Sequence, residues 1–187
     1  MQPITTGPDP LEIIVNRSQA SQNKEELLEL MRWLYIHQPE VVLEIGVDKG
    51  HSLLVWEEAL RPRKIIGIEL LPLTLDDPNL VLLSPADSHD IGTVERVKEA
   101  LGGDTIDFLF IDGDHTYEGV KRDWLLCRKF LSPDAYVVFH DISVIQEGVE
   151  VFRFWREIKQ VFPYQEFIKE GGTGTGLIFY DPAHDKL

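Results

Sequence analysis

Residues 41–50 read VVLEIGVDKG, an apolar run that leads into a turn between two glycines. Gly46 can form a tight turn because it has no Cβ, and Gly50 allows the backbone to approach a ligand where a helix begins. An apolar helical pattern follows, with Ser52 in its first turn. The stretch therefore predicts a strand, turn and helix, a unit that α/β proteins use both for binding and for structure alone.

Short apolar runs alternate with helical patterns along the rest of the chain. This alternation predicts a Rossmann-like, doubly wound α/β fold, with a mainly parallel seven-stranded sheet, a C-terminal antiparallel hairpin and helices on both faces. A helix is expected from Ser21 to just before Pro39. The other helices are predicted at about 50–61, 92–102, 117–130 and 145–161, and the strands at 41–46, 64–69, 80–84, 106–112, 135–140, 164–168 and 176–180.

The domain organisation follows from this pattern. Residues 1–10, MQPITTGPDP, contain three prolines and no periodicity. We therefore expect residues 1–20 to form a flexible lead-in and residues 21–187 to form a single domain.

The composition excludes several classes of partner. The chain has 187 residues and a formal net charge of −14, so its field repels nucleic acid and anionic lipid. No run of apolar residues is long enough for a membrane helix. Cys127 is the single cysteine and cannot form an internal disulfide. A soluble cytoplasmic protein, with no nucleic-acid or membrane partner, is expected.

Acidic and polar residues follow the next two predicted strands. Glu69 ends the second strand about 20 residues beyond the glycine turn, the spacing at which a carboxylate accepts hydrogen bonds from ribose hydroxyls. Asp87 and Ser88 follow the third strand, where they could contact an adenine edge, although Asp87 could equally be a turn or cap residue. The set predicts a site for an adenosine-containing cofactor.

The glycine turn distinguishes between two such cofactors. NAD sites use G-x-G-x-x-G, whereas this turn is G-x-x-x-G and lacks the middle glycine. Glu44 precedes the turn, where a carboxylate would repel a pyrophosphate but could serve a cationic ligand. The pattern favours a sulfonium amino acid and argues against an NAD-linked oxidoreductase.

These residues resemble the class I methyltransferases that use S-adenosylmethionine (SAM). The similarity includes E-x-G-x-x-x-G, the acid ending the second strand and Asp-Ser after the third. Residues 110–123, FIDGDHTYEGVKRD, resemble the branch called methyltransferase family 24, as do LSP at 131–133 and FHD at 139–141. The resemblance extends over residues 23–181.

Ionisable residues follow the fourth and fifth predicted strands and should meet at one edge of the sheet. The resemblance implies that Asp112 and Asp141 hold a divalent ion, Mg²⁺ or Mn²⁺, with His140 in the remaining ligand position. Asp112 would also contact the cofactor, and His115 would be the general base. His140 departs from the oxygen donor expected there, and imidazole suits manganese, iron or zinc better than magnesium. Each residue could instead serve a turn, a cap or a loop.

The sequence leaves two functions open. The first is a SAM-dependent methyltransferase that modifies a small-molecule acceptor, at a hydroxyl oxygen of a sugar or natural product. The second is a catalytically silent protein or subunit that binds SAM or S-adenosylhomocysteine (SAH). The site could be covered by a large acceptor, by residues 1–20 or by a second subunit in a homodimer. Trp33 and Tyr35 could border the acceptor pocket, pack in the core or contact that subunit.

Overall fold

The computed structural model describes residue 7 and residues 9–185. Its seven strands all coincide with predicted ones, to within one residue at most ends. They are β1 Val41–Ile45, β2 Lys64–Ile68, β3 Leu80–Leu83, β4 Ile106–Ile111, β5 Leu131–His140, β6 Tyr164–Phe167 and β7 Thr175–Phe179. β5 begins at Leu131, four residues before the predicted start at 135.

The strands form one sheet in the order β3-β2-β1-β4-β5-β7-β6. β3, β2, β1, β4 and β5 are parallel, while β7 runs antiparallel to β5 and β6 antiparallel to β7. The predicted parallel sheet and C-terminal hairpin are therefore confirmed. The strand order reverses between β1 and β4, so a crevice is expected at the carboxyl ends of these two strands.

Helices cover both faces of the sheet, as predicted. They are α1 Pro10–Arg17, α2 Lys24–His37, α3 His51–Leu60, α4 Ile91–Leu101, α5 Tyr117–Cys127 and α6 Val151–Ile158, with a 3₁₀ turn at Arg128–Phe130. The protein has one apolar core on each face of the sheet, and alternate side chains of β1 point into one core or the other. Leu43 packs in the core that contains Trp124 of α5, and Val42 packs in the core that contains Trp56 of α3.

The expectation of a flexible lead-in over residues 1–20 is wrong for its second half. Asp9 caps α1 by accepting a hydrogen bond from the amide of Leu11, and Pro10 occupies the first turn, where its missing N–H costs nothing. Leu11 and Val15 are buried against α2 and α3. The prolines concealed this short amphipathic pattern. Residues 1–6 and 8 lie outside the described residues.

Two predicted helix starts also differ from the structure. α2 begins at Lys24 because Asn23, rather than Ser21, accepts hydrogen bonds from the amides of the first turn. α6 begins at Val151 rather than near 145, since Gly148 adopts a φ of +83° in the preceding loop. In the part of the chain described, no helix combines the length and apolar character that a membrane span requires.

Candidate active site

A cavity of about 870 Å³ opens at the carboxyl ends of the parallel strands. Its wall comes from the loops that follow β1 to β5, from the segment that precedes α2 and from the glycine-rich loop that precedes β7. The predicted site residues on this wall are Gly46, Ser52, Glu69, Asp87, Ser88, Asp112, His115, His140 and Asp141. One cavity therefore unites most of the residues that the sequence singled out.

Gly46 brings the loops after β1 and β4 into direct contact. Its φ is +85°, and a Cβ built on it would lie 2.1 Å from the carbonyl oxygen of Asp112. The amide of Asp112 donates to the carbonyl of Ile45 at 2.8 Å, which fixes the two loops together. Only glycine fits this position. Gly50, with a φ of +81°, begins α3 but is not part of the cavity wall.

Glu69 organises the loop after β1 from the neighbouring strand. Its Oε2 accepts hydrogen bonds from the amides of Val47 and Asp48, at 3.1 and 2.7 Å, and its Oε1 accepts from the amide of Leu71 at 2.8 Å. Oε2 thus already accepts two bonds, whereas Oε1 accepts one and can accept another, because a carboxylate oxygen offers two lone-pair sites. Glu69 therefore shapes the wall and still offers an acceptor to a ligand through Oε1.

Asp87 is an exposed residue of the cavity wall in the loop after β3, and its Oδ1 accepts from the amide of His89 at 2.8 Å. Its neighbour Ser88 also lines the cavity. His89, which the sequence analysis did not single out, joins this wall, and its Nε2 lies 3.1 Å from the fully buried Asp123. The same nitrogen lies 3.2 Å from the carbonyl oxygen of Gly119, which ties the loop after β3 to α5.

Glu44 lies beneath the cavity rather than on its wall. Its carboxylate is completely buried and accepts hydrogen bonds from the hydroxyl of Ser52 at 2.5 Å and the indole of Trp56 at 2.7 Å. Burial raises the pKa of Glu44 to about 8, although both hydrogen bonds oppose that shift. Side chains alternate along β1, and this alternation places Glu44 under α3 instead of in the opening. Ser52 forms part of the wall but is committed to Glu44.

Four side chains converge where β4 and β5 end. Oδ1 of Asp112 lies 3.2 Å from Nε2 of His115 and 3.1 Å from Nδ1 of His140. Asp141 lies 3.4 Å from His115 and 3.2 Å from His140 through its two oxygens. Asp114 lines the cavity nearby, but its Oδ1 accepts from the amide of Thr116 at the start of α5. We call Asp112, His115, His140 and Asp141 the acid–histidine cluster.

The pKa values of Asp112 and of the two histidines in the cluster shift in opposite directions. Burial would raise the pKa of Asp112, but hydrogen bonds with His115 and His140 outweigh it and lower that pKa to about 2. The bond to Asp112 raises the pKa of His115. Burial acts against protonation of His140, yet the neighbouring carboxylates, Asp112 foremost, raise the pKa of this imidazole too. Both imidazoles are thus more basic than an ordinary histidine.

The same cluster contains a candidate metal site. Asp112, His115 and Asp141 each offer a ligand atom, and these atoms lie within 4.8 Å of one another. The predicted set contained His140, whereas this group contains His115 in its place. His140 faces both carboxylates through Nδ1 and meets the hydroxyl of Thr173 through Nε2 at 3.1 Å. Two carboxylates with imidazoles suit Mn²⁺, Fe²⁺ or Zn²⁺, whereas Mg²⁺ prefers oxygen ligands throughout.

Two distant segments complete the wall, and the sequence analysis missed both. Gln22 precedes α2 and donates to Oδ2 of Asp112 at 3.0 Å. Gly172 and Thr173 come from the loop before β7. The fully buried Glu26 joins the two segments by accepting from the amides of Lys169 and Gly174 at 2.9 and 3.1 Å. Trp33 and Tyr35, by contrast, do not line the cavity.

Solved O-methyltransferases share this fold. MycE methyltransferase from the mycinamycin biosynthetic pathway, solved with Mg, SAH and mycinamycin VI, has a TM-score of 0.71 at 16% identity, over 97% of this chain and 56% of that one. An O-methyltransferase from Bacillus cereus, solved with SAH, has a TM-score of 0.61 at 12% identity, over 95% and 94%. At such identities the likeness establishes the fold alone.

Two uncharacterised proteins are related in sequence. Protein y4gI of Sinorhizobium fredii is 35% identical over 81 residues, which make up 41% of this chain and 8% of that protein. Protein R132 of Acanthamoeba polyphaga mimivirus is 33% identical over 110 residues, or 53% of this chain and 50% of that protein. The matches span no more than half the length of either relative.

A family model described as a methyltransferase domain, methyltransferase family 24, matches residues 43–142. This range includes the glycine turn, Glu69, Asp87 and the whole acid–histidine cluster. It also covers more than half of the 187 residues. The chain therefore belongs to this family of methyltransferase domains.

Proposed function

We propose that this chain is a SAM-dependent methyltransferase that modifies a hydroxyl oxygen of a small molecule, such as a sugar or natural product. One observation carries the proposal. A single cavity combines an adenosine-type wall, built on Gly46 and Glu69, with the acid–histidine cluster a short distance along the same sheet edge. Methyl transfer needs these two features side by side, because the activated methyl group and the nucleophile must meet in line.

The cofactor would lie across the glycine turn. Glu69 would accept hydrogen bonds from the ribose hydroxyls, while Asp87 and Ser88 would contact the adenine edge. The backbone at Gly46 and the carboxylate of Asp112 would meet the amino-acid end. Glu44 and Ser52 would support the turn from below. The SAH complexes of MycE and of the Bacillus cereus enzyme support this choice of cofactor.

His115 is the group best placed to accept the acceptor's proton. Its side chain is 39% exposed, whereas that of His140 is 9% exposed, so His115 is the more accessible imidazole of the cluster. Asp112 and Asp141 both face its Nε2 and would stabilise the imidazolium that forms. Because these carboxylates raise its pKa, His115 becomes a competent base only as the pH rises above the ordinary range of histidine.

A divalent ion would fit among Asp112, Asp141 and an imidazole of the cluster, as Mn²⁺ or a related ion rather than Mg²⁺. Such an ion would supply a Lewis acid that lowers the pKa of an acceptor hydroxyl. In its absence, the two carboxylates face the imidazoles and raise their pKa values. A metal ion and the protons of the imidazoles therefore compete within the cluster.

A transfer assay tests the proposal directly. The protein would be incubated with SAM carrying a labelled methyl group and a panel of sugars, phenols and hydroxylated natural products, with and without Mn²⁺ or Mg²⁺. We expect label in at least one hydroxylated acceptor and equimolar formation of SAH. Tight binding of SAH with no labelled acceptor across the panel would favour the silent cofactor-binding protein instead.

A further inference from the structure

Gln22 carries a buried polar atom that the protein itself leaves unpartnered. The side chain is 7% exposed and forms part of the cavity wall. Its Nε2 donates to Oδ2 of Asp112 at 3.0 Å, but its Oε1 is buried and meets no donor among the residues that the structure describes. A buried carbonyl oxygen without a donor is unfavourable. The wall is therefore incomplete at this atom.

Neighbouring bonds hold Gln22 at the cavity. Asn23 caps α2 immediately after it, and the ammonium of Lys24 donates to the carbonyl of Ser18 at 2.7 Å, which closes the turn between α1 and α2. One helical turn further on, Glu26 binds the glycine-rich loop. A Cβ on Gly172 would lie 2.0 Å from Oε1 of Glu26, so the loop packs directly against the Glu26 carboxylate and leaves no room for a side chain there. Gln22 therefore lies at the start of a segment, leading into α2, that these hydrogen bonds hold in place.

Gln22 and the two histidines of the cluster contact different oxygens of Asp112. Oδ1 faces His115 and His140, while Oδ2 faces Gln22. The acceptor's hydroxyl belongs near His115, so Gln22 is placed for another ligand group. A cofactor held by Glu69 and passing over Gly46 would bring its amino-acid end to Asp112. The α-ammonium group at that end carries the N–H donors that the unpartnered Oε1 of Gln22 lacks.

We propose that Oε1 of Gln22 binds the α-ammonium group of the cofactor's amino-acid moiety, beside the carboxylate of Asp112. The inference rests on the proposed function, because it takes SAM or SAH as the ligand. The terminal torsion of a glutamine side chain is soft, so the Gln22 amide can adjust to the ligand. Through α2 and Glu26, the ammonium contact also links the cofactor to the glycine-rich loop.

Calorimetric titration with two probes isolates this contact. The probes are SAH and the SAH analogue that lacks only the α-amino group, and the proteins are wild type, Gln22→Leu and Gln19→Leu. Gln19 is exposed in the same segment and does not line this cavity, so its variant is the matched control. The cycle of two ligands and two proteins measures the coupling between Gln22 and the amino group.

We expect Gln22→Leu to weaken SAH binding about 10-fold while the deaminated analogue changes no more than about 2-fold, with Gln19→Leu unchanged for both. Equal losses for the two probes would overturn the inference, since Gln22 would then act only on the shape of the wall. Failure of wild type to bind SAH would refute the proposed function instead. Should Gln22→Leu not fold, the side-chain amide signal of Gln22 in the wild-type NMR spectrum must shift with SAH and not with the analogue.

Discussion

The floor and the rim of the cavity contain acids of opposite character. Glu44, on the floor, lies in β1 next to Phe110 of β4, and Asp112 follows β4 on the rim. Both are largely buried, yet the pKa of Glu44 rises to about 8 while that of Asp112 falls to about 2. Their partners account for the difference. Neutral donors, a hydroxyl and an indole, bind Glu44, whereas two imidazoles bind Asp112.

This comparison shows that partners, more than depth, decide what a carboxyl group can do. An acid with neutral donors stays protonated near neutral pH and serves as a structural hydrogen-bonding group. An acid paired with basic groups stays ionised and can orient a base, hold a cation or bind an ammonium. We therefore expect substitutions on the rim to affect chemistry and substitutions on the floor to affect stability.

The largest effect should follow the loss of the base. His115→Gln should lower turnover about 10²- to 10⁴-fold and leave SAH affinity nearly unchanged, because a general base acts on the acceptor proton. Steady-state methyl transfer and calorimetry measure the two quantities. His51→Gln, which changes another cavity histidine outside the cluster, is the control. Equal losses of turnover in both variants would contradict the role of His115.

The contact between the loops after β1 and β4 is tested at Gly46. Gly46→Ala forces a Cβ against the Asp112 carbonyl, and we expect it to lower the free energy of unfolding by about 3 kcal/mol or more and to abolish cofactor binding. Gly103→Ala is the matched control, since Gly103 has a φ of +100° with no atom within 4 Å of the added Cβ. It should cost only about 1 kcal/mol. Similar losses in denaturant titration would show that the loop contact is unimportant.

A third prediction concerns charge on the rim. The carboxylate of Asp112 raises the pKa of both His115 and His140. Asp112→Asn removes that charge and should lower both pKa values, so each imidazole loses its proton at a lower pH than in wild type. NMR titration of the imidazole signals measures this without turnover. Unchanged midpoints would mean that Asp141 alone controls the histidines.

The last prediction concerns the floor. The pKa of Glu44 in the folded protein, about 8, exceeds its ordinary value of 4.5, so its contribution to stability is present below pH 4.5 and is lost as the pH rises through about 8. Glu44→Gln should remove this decline, and its unfolding free energy should depend less on pH than that of wild type. Glu99→Gln, at an exposed helix position, controls for the loss of a charge. A parallel pH dependence of Glu44→Gln and wild type would contradict the account.

Much of the fold and the centre of the site could be predicted from the sequence. Buried parallel strands appear as apolar runs, and their carboxyl ends share one edge, so Asp112 and His140 had to lie close together. Gly46 could be identified because its turn requires a residue without a Cβ. The antiparallel hairpin followed from the glycine-rich stretch between two strand patterns.

The remainder depended on contacts between distant segments. Gln22 reaches Asp112 across 90 positions of sequence, and Thr173 reaches His140 across 33, and no local pattern announces either contact. Glu44 was expected in the cofactor site, but the alternation of β1 directs its side chain under α3. Helix α1 was missed because proline-rich sequence reads as irregular even where Pro10 is well suited to a first turn.

The most direct test of the central claim is a calorimetric titration of the wild-type protein with SAM, SAH and NAD, repeated for Glu69→Ala. We expect micromolar binding of SAM and SAH, no binding of NAD, and a loss of about 1–3 kcal/mol of binding free energy when Glu69 is removed. Absence of SAM and SAH binding by the folded wild-type protein, or preferential binding of NAD, would contradict it.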